Sequence, residues 1–205
     1  MKMKKSLLFL VLIFFVTTQG FAIGPQFRLS AGISNPMGPD LVKDVYKSGV
    51  YLGGDLELGL PMTNIGIVGS VHYSRFPLDN DKLLEMAGVA MSGVDVEGGS
   101  TSSLALTANL KLGIGPPIIP VKPFITGGFG YYRLSIGDAS VSYQGNREQF
   151  LQGDSTDKMG INIGAGVDIN LLLGFSLFAD ARYHLVFQED DNFSYIPIRV
   201  GISFL

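Results

Sequence analysis

Residues 159–187 read MGINIGAGVDINLLLGFSLFADARYHLVF, and the alternation of their side chains decides the fold. Ile161, Ile163, Ala165, Val167 and Ile169 share one parity, while Asn162, Gly164, Gly166, Asp168 and Asn170 share the other. After LLLG at 171–174 the pattern resumes, with Leu177, Ala179, Ala181, Tyr183, Leu185 and Phe187 opposite Ser176, Phe178, Asp180, Arg182, His184 and Val186. A period of two places successive side chains on opposite faces of a strand. Two such runs joined by a short connection predict an antiparallel hairpin.

Working outward, GVYLGGDLELGLP at 49–61 sets Val50, Leu52, Leu56, Leu58 and Leu60 against Tyr51, Gly53, Asp55, Glu57 and Gly59. In STSSLALTANLKLGIG, Leu104, Leu106, Ala108, Leu110, Leu112 and Ile114 oppose Ser103, Ala105, Thr107, Asn109, Lys111 and Gly113. YIPIRVGISFL sets Ile196, Ile198, Val200, Ile202 and Phe204 against Pro197, Arg199, Gly201 and Ser203. QFRLSAGIS at 26–34, IGIVGSVHYSRF at 65–76 and PFITGGFGYYRLSI at 123–136 bring the strands to eight. Aromatic residues on both parities leave the orientation of segment 123–136 open. The connections alternate in length: 35–48, 77–100 and 137–158 are long, whereas PMTN at 61–64, GPPIIPVK at 115–122 and LLLG are short, and QEDDN at 188–192 is modest. Outer-membrane barrels have short periplasmic turns and longer external loops, so both termini are placed on the periplasmic side.

At the N-terminus, Lys2, Lys4 and Lys5 precede the apolar run LLFLVLIFFV, and TTQGFA follows, which predicts a secretory signal peptide over 1–22 and one mature domain over 23–205. No later run is long and apolar enough for a spanning helix. Without cysteine there is neither a disulfide framework nor a lipid-anchored thiol. Loss of the three lysines leaves 12 basic against 18 acidic residues, which argues against a nucleic-acid partner. A 46% hydrophobic chain with 27 glycines and only 16% charged residues suits a membrane barrel better than a soluble domain. The glycines crowd the polar parity, where a narrow lumen restricts side-chain volume; that favours apolar-face-out over a soluble periplasmic barrel with an internal ligand cavity.

The segments GGFGYYRL (127–134), 160–187 and IPIRVGISF (196–204) resemble the small eight-stranded outer-membrane β-barrel domain family, which includes OmpA- and OmpX-like barrels. The resemblance covers the mature chain. It implies an all-β, eight-stranded antiparallel up-and-down transmembrane β-barrel in the outer membrane of a Gram-negative bacterium. It also implies contact with outer-membrane lipid and lipopolysaccharide, and recognition by the barrel-assembly machinery through a terminal aromatic residue, here Phe204, one position before Leu205. A barrel of this size is just wide enough for side chains to fill. The expected lumen residues include Asp55, Glu57, Lys111, Asp168, Asp180, Arg182, His184 and Arg199. Charges so confined require partners, so they are read as a polar plug, with an acid among Asp55, Glu57 and Asp180 meeting Arg182 or Arg199.

The external segments are the other place for function. Leu83, Leu84, Met86, Val89 and Met91 in DKLLEMAGVAMSG suggest a short helix, either at the membrane interface or capping the mouth. VDVEGGSTSS keeps the parity of the strand that follows it and is expected to prolong that strand above the membrane. REQFLQGDSTDK, in loop 137–158, reads as mobile. The acids at 189–191 lack a calcium-loop spacing, and no metal or cofactor site is assigned.

No G-x-S-x-G, H-E-x-x-H or phosphate-loop pattern occurs. His72 and Ser74, with the more distant Glu85, resemble the His-x-Ser pair of eight-stranded lipid A deacylases. Arg75 stands where that family has asparagine, and the pair comes earlier in the chain. Ile65, Ile67, Val71 and Tyr73 take the lipid-facing parity, which sends His72 and Ser74 inward. The expected role is structural, adhesive or surface-binding through the external loops.

Overall fold

The computed structural model describes residues 24–60, 63–86, 94–115, 120–143, 146–171 and 175–204; the expected signal peptide at 1–22 lies outside them. In chain order the elements are β1 (Gln26–Gly38), α1 (Asp40–Val45), β2 (Gly49–Gly59), β3 (Ile65–Phe76) and α2 (Asn80–Met86). They continue with β4 (Val94–Gly98), β5 (Thr101–Gly113), β6 (Val121–Ile136), β7 (Ala139–Tyr143), β8 (Asn146–Leu151), β9 (Asp154–Asn170), β10 (Phe175–Val186) and β11 (Phe193–Phe204). Eight of the strands close an antiparallel barrel in the order β1-β11-β10-β9-β6-β5-β3-β2. Closure runs through Ala31, which pairs with Leu52 on one side and Val200 on the other. Among the described residues no helix is long and apolar enough to cross a membrane.

The wall is inside out relative to a soluble protein. Along β3, Val68, Ser70, His72, Ser74 and Phe76 are buried, while Ile65, Ile67, Val71 and Tyr73 are exposed. The same inversion holds around the barrel: Leu52, Leu106, Leu110, Ile163 and Val200 face outward, and Arg28, Asp55, Asp180 and Arg199 face inward. Lipid accepts the apolar face, and strand pairing around the closed barrel satisfies the backbone.

Strand β6, whose orientation the sequence leaves open, turns Phe124, Thr126, Tyr132 and Leu134 inward and Ile125, Phe129, Tyr131 and Arg133 outward. The neighbouring strand supplies the reason. A Cβ on Gly166 of β9 would stand 2.6 Å from the Phe124 ring, and one on Gly160 would stand 2.9 Å from the Tyr132 ring. The two rings fit because those positions lack side chains.

At the outer end Val94–Gly98 prolongs β5, as expected, and pairs with the prolongation of β6. The ladder is interrupted at Gly98 and Gly99, at φ 88° and 69°, but keeps its register: Gly99 N donates to Asp138 O at 2.8 Å, Gly137 N to Ser100 O at 2.9 Å, and Gly98↔Ala139 follows Thr101↔Ile136. Strand β8 completes a three-stranded sheet in the order β4-β7-β8. Segment 137–158, expected to be mobile, instead holds the β7–β8 hairpin and the first residues of β9, which pair with β6 up to Asp154↔Ile136. Strand β1 also runs past residue 34, to Gly38. The short helix is present as α2; residues 87–93 lie outside the described residues. Asp79 precedes α2 and accepts from Lys82 N at 3.4 Å, while Lys47 Nζ lies 3.1 Å from its carboxylate.

Candidate functional site

Strand parity directs polar side chains from all eight barrel strands into one narrow lumen, where they form three tiers. Nearest the short turns, Glu57 and Asp168 are bridged twice. Arg28 Nη1 donates to Glu57 at 2.6 Å and Nη2 to Asp168 at 3.0 Å; Lys111 Nζ donates to Glu57 at 2.9 and 3.0 Å and to Asp168 at 2.5 Å. Two cations and two carboxylates thus close a ring. The Arg28 guanidinium lies 3.8 Å from the centroid of Phe178, and Lys111 Nζ 4.5 Å from that of Phe124. A polar vestibule of about 140 Å3, lined by Gln26, Asn64, Lys122, Asn170 and Ser203 among others, opens beneath the ring.

The middle tier centres on Arg199, which is 1% exposed. Its Nε and Nη2 grip Asp180 in bidentate fashion at 2.6 and 2.8 Å, and Nη1 reaches Asp55 at 3.0 Å, Tyr51 Oη at 3.0 Å and Ser30 Oγ at 3.3 Å. Arg182 Nη2 donates at 3.3 Å to Asp180 Oδ2, the oxygen that also accepts from Arg199 Nη2. The four charges cancel, as burial of ions demands.

The outer tier is aromatic. His72 packs between Tyr51 and His184, with ring centroids 5.6 and 4.8 Å apart. His184 stacks on Tyr195 at 4.8 Å and shares a hydrogen bond of 3.0 Å between its Nδ1 and Tyr132 Oη. Above lie Phe76, Leu134, Val186 and Phe193, with Val42 of α1 and Tyr46 packed against the cluster from outside. The barrel is therefore filled from vestibule to cap.

All eight residues read from the sequence as lumen groups point inward, and seven of them form the two ionic tiers with Arg28; His184 belongs to the aromatic tier. Arg28 was missed, although QFRLSAGIS alternates and puts it opposite Phe27, Leu29 and Ile33. Charge balance would have found it: the seven charged lumen residues otherwise comprise four acids and three cations. Tyr51 and Phe178 were on the inward parity but had no assigned part; as rings flanking guanidinium groups they line the network.

His72 and Ser74 are 1% and 0% exposed and face the lumen. Among the described residues neither nitrogen of His72 nor Ser74 Oγ has a hydrogen-bond partner, so the two are not joined as nucleophile and base. Glu85 lies exposed on α2.

Residues 7–204 match the family described as "Outer membrane protein beta-barrel domain". No curated protein matches the chain. Among solved structures, Neisserial surface protein A is similar at 15% identity and TM-score 0.56, over 88% of this chain and 96% of that one. A major outer membrane protein from Thermus thermophilus is similar at 15% identity and TM-score 0.53, over 89% and 99%. At these identities the likeness is one of fold.

Proposed function

The chain belongs to the outer membrane protein β-barrel domain family, and from that premise we propose that it is a plugged, non-enzymatic envelope barrel that presents its outer sheet at the cell surface. One observation carries this reading: the lumen is closed twice, by the two neutral ionic tiers and by the aromatic tier beneath α1. A barrel sealed in this way supports the membrane without offering a wide solute path, and the surface left for recognition is the outer end, where β4, β7 and β8 carry the wall beyond the barrel. Adhesion or surface binding would use that sheet, with lipopolysaccharide as the surrounding outer-leaflet lipid.

Conductance across a planar bilayer tests the plug. The wild-type protein is expected to give no sustained open channel, whereas truncating the outer tier in Tyr132→Ala/Phe193→Ala raises the frequency of openings. A steady open channel in the wild type would refute the reading. Incubation with lipid A tests the non-enzymatic part: fatty acid release that disappears in Ser74→Ala would establish a deacylase instead.

A further inference from the structure

Among the described residues, the outward faces of the eight barrel strands carry three charged side chains, Arg75 on β3, Arg133 on β6 and Asp157 on β9. All lie at the outer ends of their strands, within the arc β3-β5-β6-β9. The outward faces of β1, β2, β10 and β11 carry none. Arg133 is held by Asp157 through bonds of 2.8 and 3.0 Å. Arg75 donates to the Ser100 hydroxyl at 3.2 Å and meets no carboxylate among the described residues. The arc therefore has a net positive charge on a surface that is otherwise uncharged.

Directly below stand Tyr73 and Tyr131, 37% and 43% exposed, at the depth where aromatic side chains mark the membrane interface. Beneath them the apolar wall is indented. One depression of about 310 Å3 is lined by Val71, Leu104, Leu106, Tyr131 and Arg133. A second, of about 410 Å3, is lined by Leu29, Leu52, Gly54, Val71, Tyr73 and Leu104. They meet at Val71 and Leu104, under Arg75.

We propose that this arc is a binding site for a phosphorylated, multiply acylated glycolipid of the outer leaflet. Its headgroup places separate anionic acceptors at Arg75 and at Arg133, and its acyl chains lie in the two depressions. Charge complementarity selects the anionic headgroup, and the position of the arginines above the aromatic belt places it at headgroup depth. The spacing selects the width. Arg75 and Arg133 stand two strands apart, roughly 10 Å at the usual interstrand distance, too far for both to clasp one phosphodiester. A broad headgroup with several acceptors, carrying more chains than one depression holds, fits better than a two-chain phosphoglyceride.

The test is lipid retention by the full-length mature protein in phosphatidylcholine nanodiscs doped with diphosphoryl lipid A or, separately, phosphatidylglycerol, read by native mass spectrometry. Lipid A is expected to be retained in preference to phosphatidylglycerol. Arg75→Gln and Arg133→Gln should each weaken retention about fivefold, the worth of one arginine near an anionic surface. Asp157→Asn, which releases Arg133 from its carboxylate, should strengthen it, and Arg75→Lys should keep part of it. Lys122→Gln, beside the vestibule at the opposite end of the barrel, should leave it unchanged. Heat-modifiable gel mobility establishes that each variant is folded. Equal retention of lipid A by folded Arg75→Gln/Arg133→Gln protein would overturn the site, and equal retention of phosphatidylglycerol by the wild type would overturn the glycolipid assignment.

Discussion

Replacing Arg199 by methionine removes the hub of the middle tier while keeping an unbranched side chain of similar reach. Asp180 would lose two bonds of 2.6 and 2.8 Å and keep only Arg182 at 3.3 Å; Asp55 would lose its cation altogether. Two cations and two acids become one and two, deep inside a wall where Asp55 and Asp180 are each 5% exposed. Breaking a buried pair by removing one partner costs about 3–5 kcal/mol, because the remaining charge stays buried without compensation. The double variant Arg199→Met/Asp55→Asn is therefore expected to be more stable than the single one. It leaves Asp180 with Arg182 as a neutral pair, and its residual cost is about 1–2 kcal/mol for an imperfectly hydrogen-bonded amide. Reversible urea unfolding in lipid vesicles, followed by the fraction of fast-migrating protein on unheated gels, measures both. A cost below about 1 kcal/mol for Arg199→Met, or a double variant no more stable than the single one, would refute the view that the tier is held by charge balance.

Three further outcomes follow from particular contacts. At Gly166 a Cβ would press on Asp180 Cβ and stand 2.6 Å from the Phe124 ring, so Gly166→Ala should destabilise the barrel by about 1–3 kcal/mol in the same assay. An added Cβ at Gly69 meets nothing within 4 Å, so Gly69→Ala should be neutral or stabilising by about 0.4–1 kcal/mol. Burial pushes the Asp79 carboxyl up, but the Lys47 hydrogen bond and charge, with the Lys82 N–H, outweigh it and hold the group below its ordinary 3.8. Because its folded value is depressed, its support of α2 is present above 3.8 and lost as pH falls through the folded value; NMR titration of the carboxyl should show the low midpoint, moving up in Lys47→Met.

The barrel was legible because alternation along a strand is a local property. A residue's parity fixes its face, and Val50, Leu106, Ile163 and Val200 could be assigned to lipid without knowing what lay across the lumen. The same reasoning placed His72 and Ser74 inside, where the structure has them. It faltered where parity carries no contrast, as in β6, with aromatic residues on both faces. There the deciding factor was space over Gly160 and Gly166 of β9, residues that become neighbours only when the barrel is paired. The outer segments were the least legible. Val94–Gly98 keeps its parity and prolongs β5, as its alternation indicates, whereas the β7–β8 hairpin within 137–158 was read as mobile; the pairing of β7 with β4, more than 40 residues away, is beyond what local pattern reports.

The sequence by itself determined the eight wall strands, the lipid-facing sides of all but β6 and the sign of nearly every lumen charge, because each follows from a period of two, while alternating connection lengths told the two ends of the barrel apart. Only the tertiary structure decided which charges meet. Arg199 joins Asp55 and Asp180 across 144 and 19 residues, and Arg28 joins Glu57 and Asp168 across 29 and 140. The short links span the β10–β11 and β1–β2 hairpins, but Arg199 to Asp55 and Arg28 to Asp168 close only when β1 meets β11 and the cylinder forms, so the completed neutral tiers are a property of closure and not of any one hairpin.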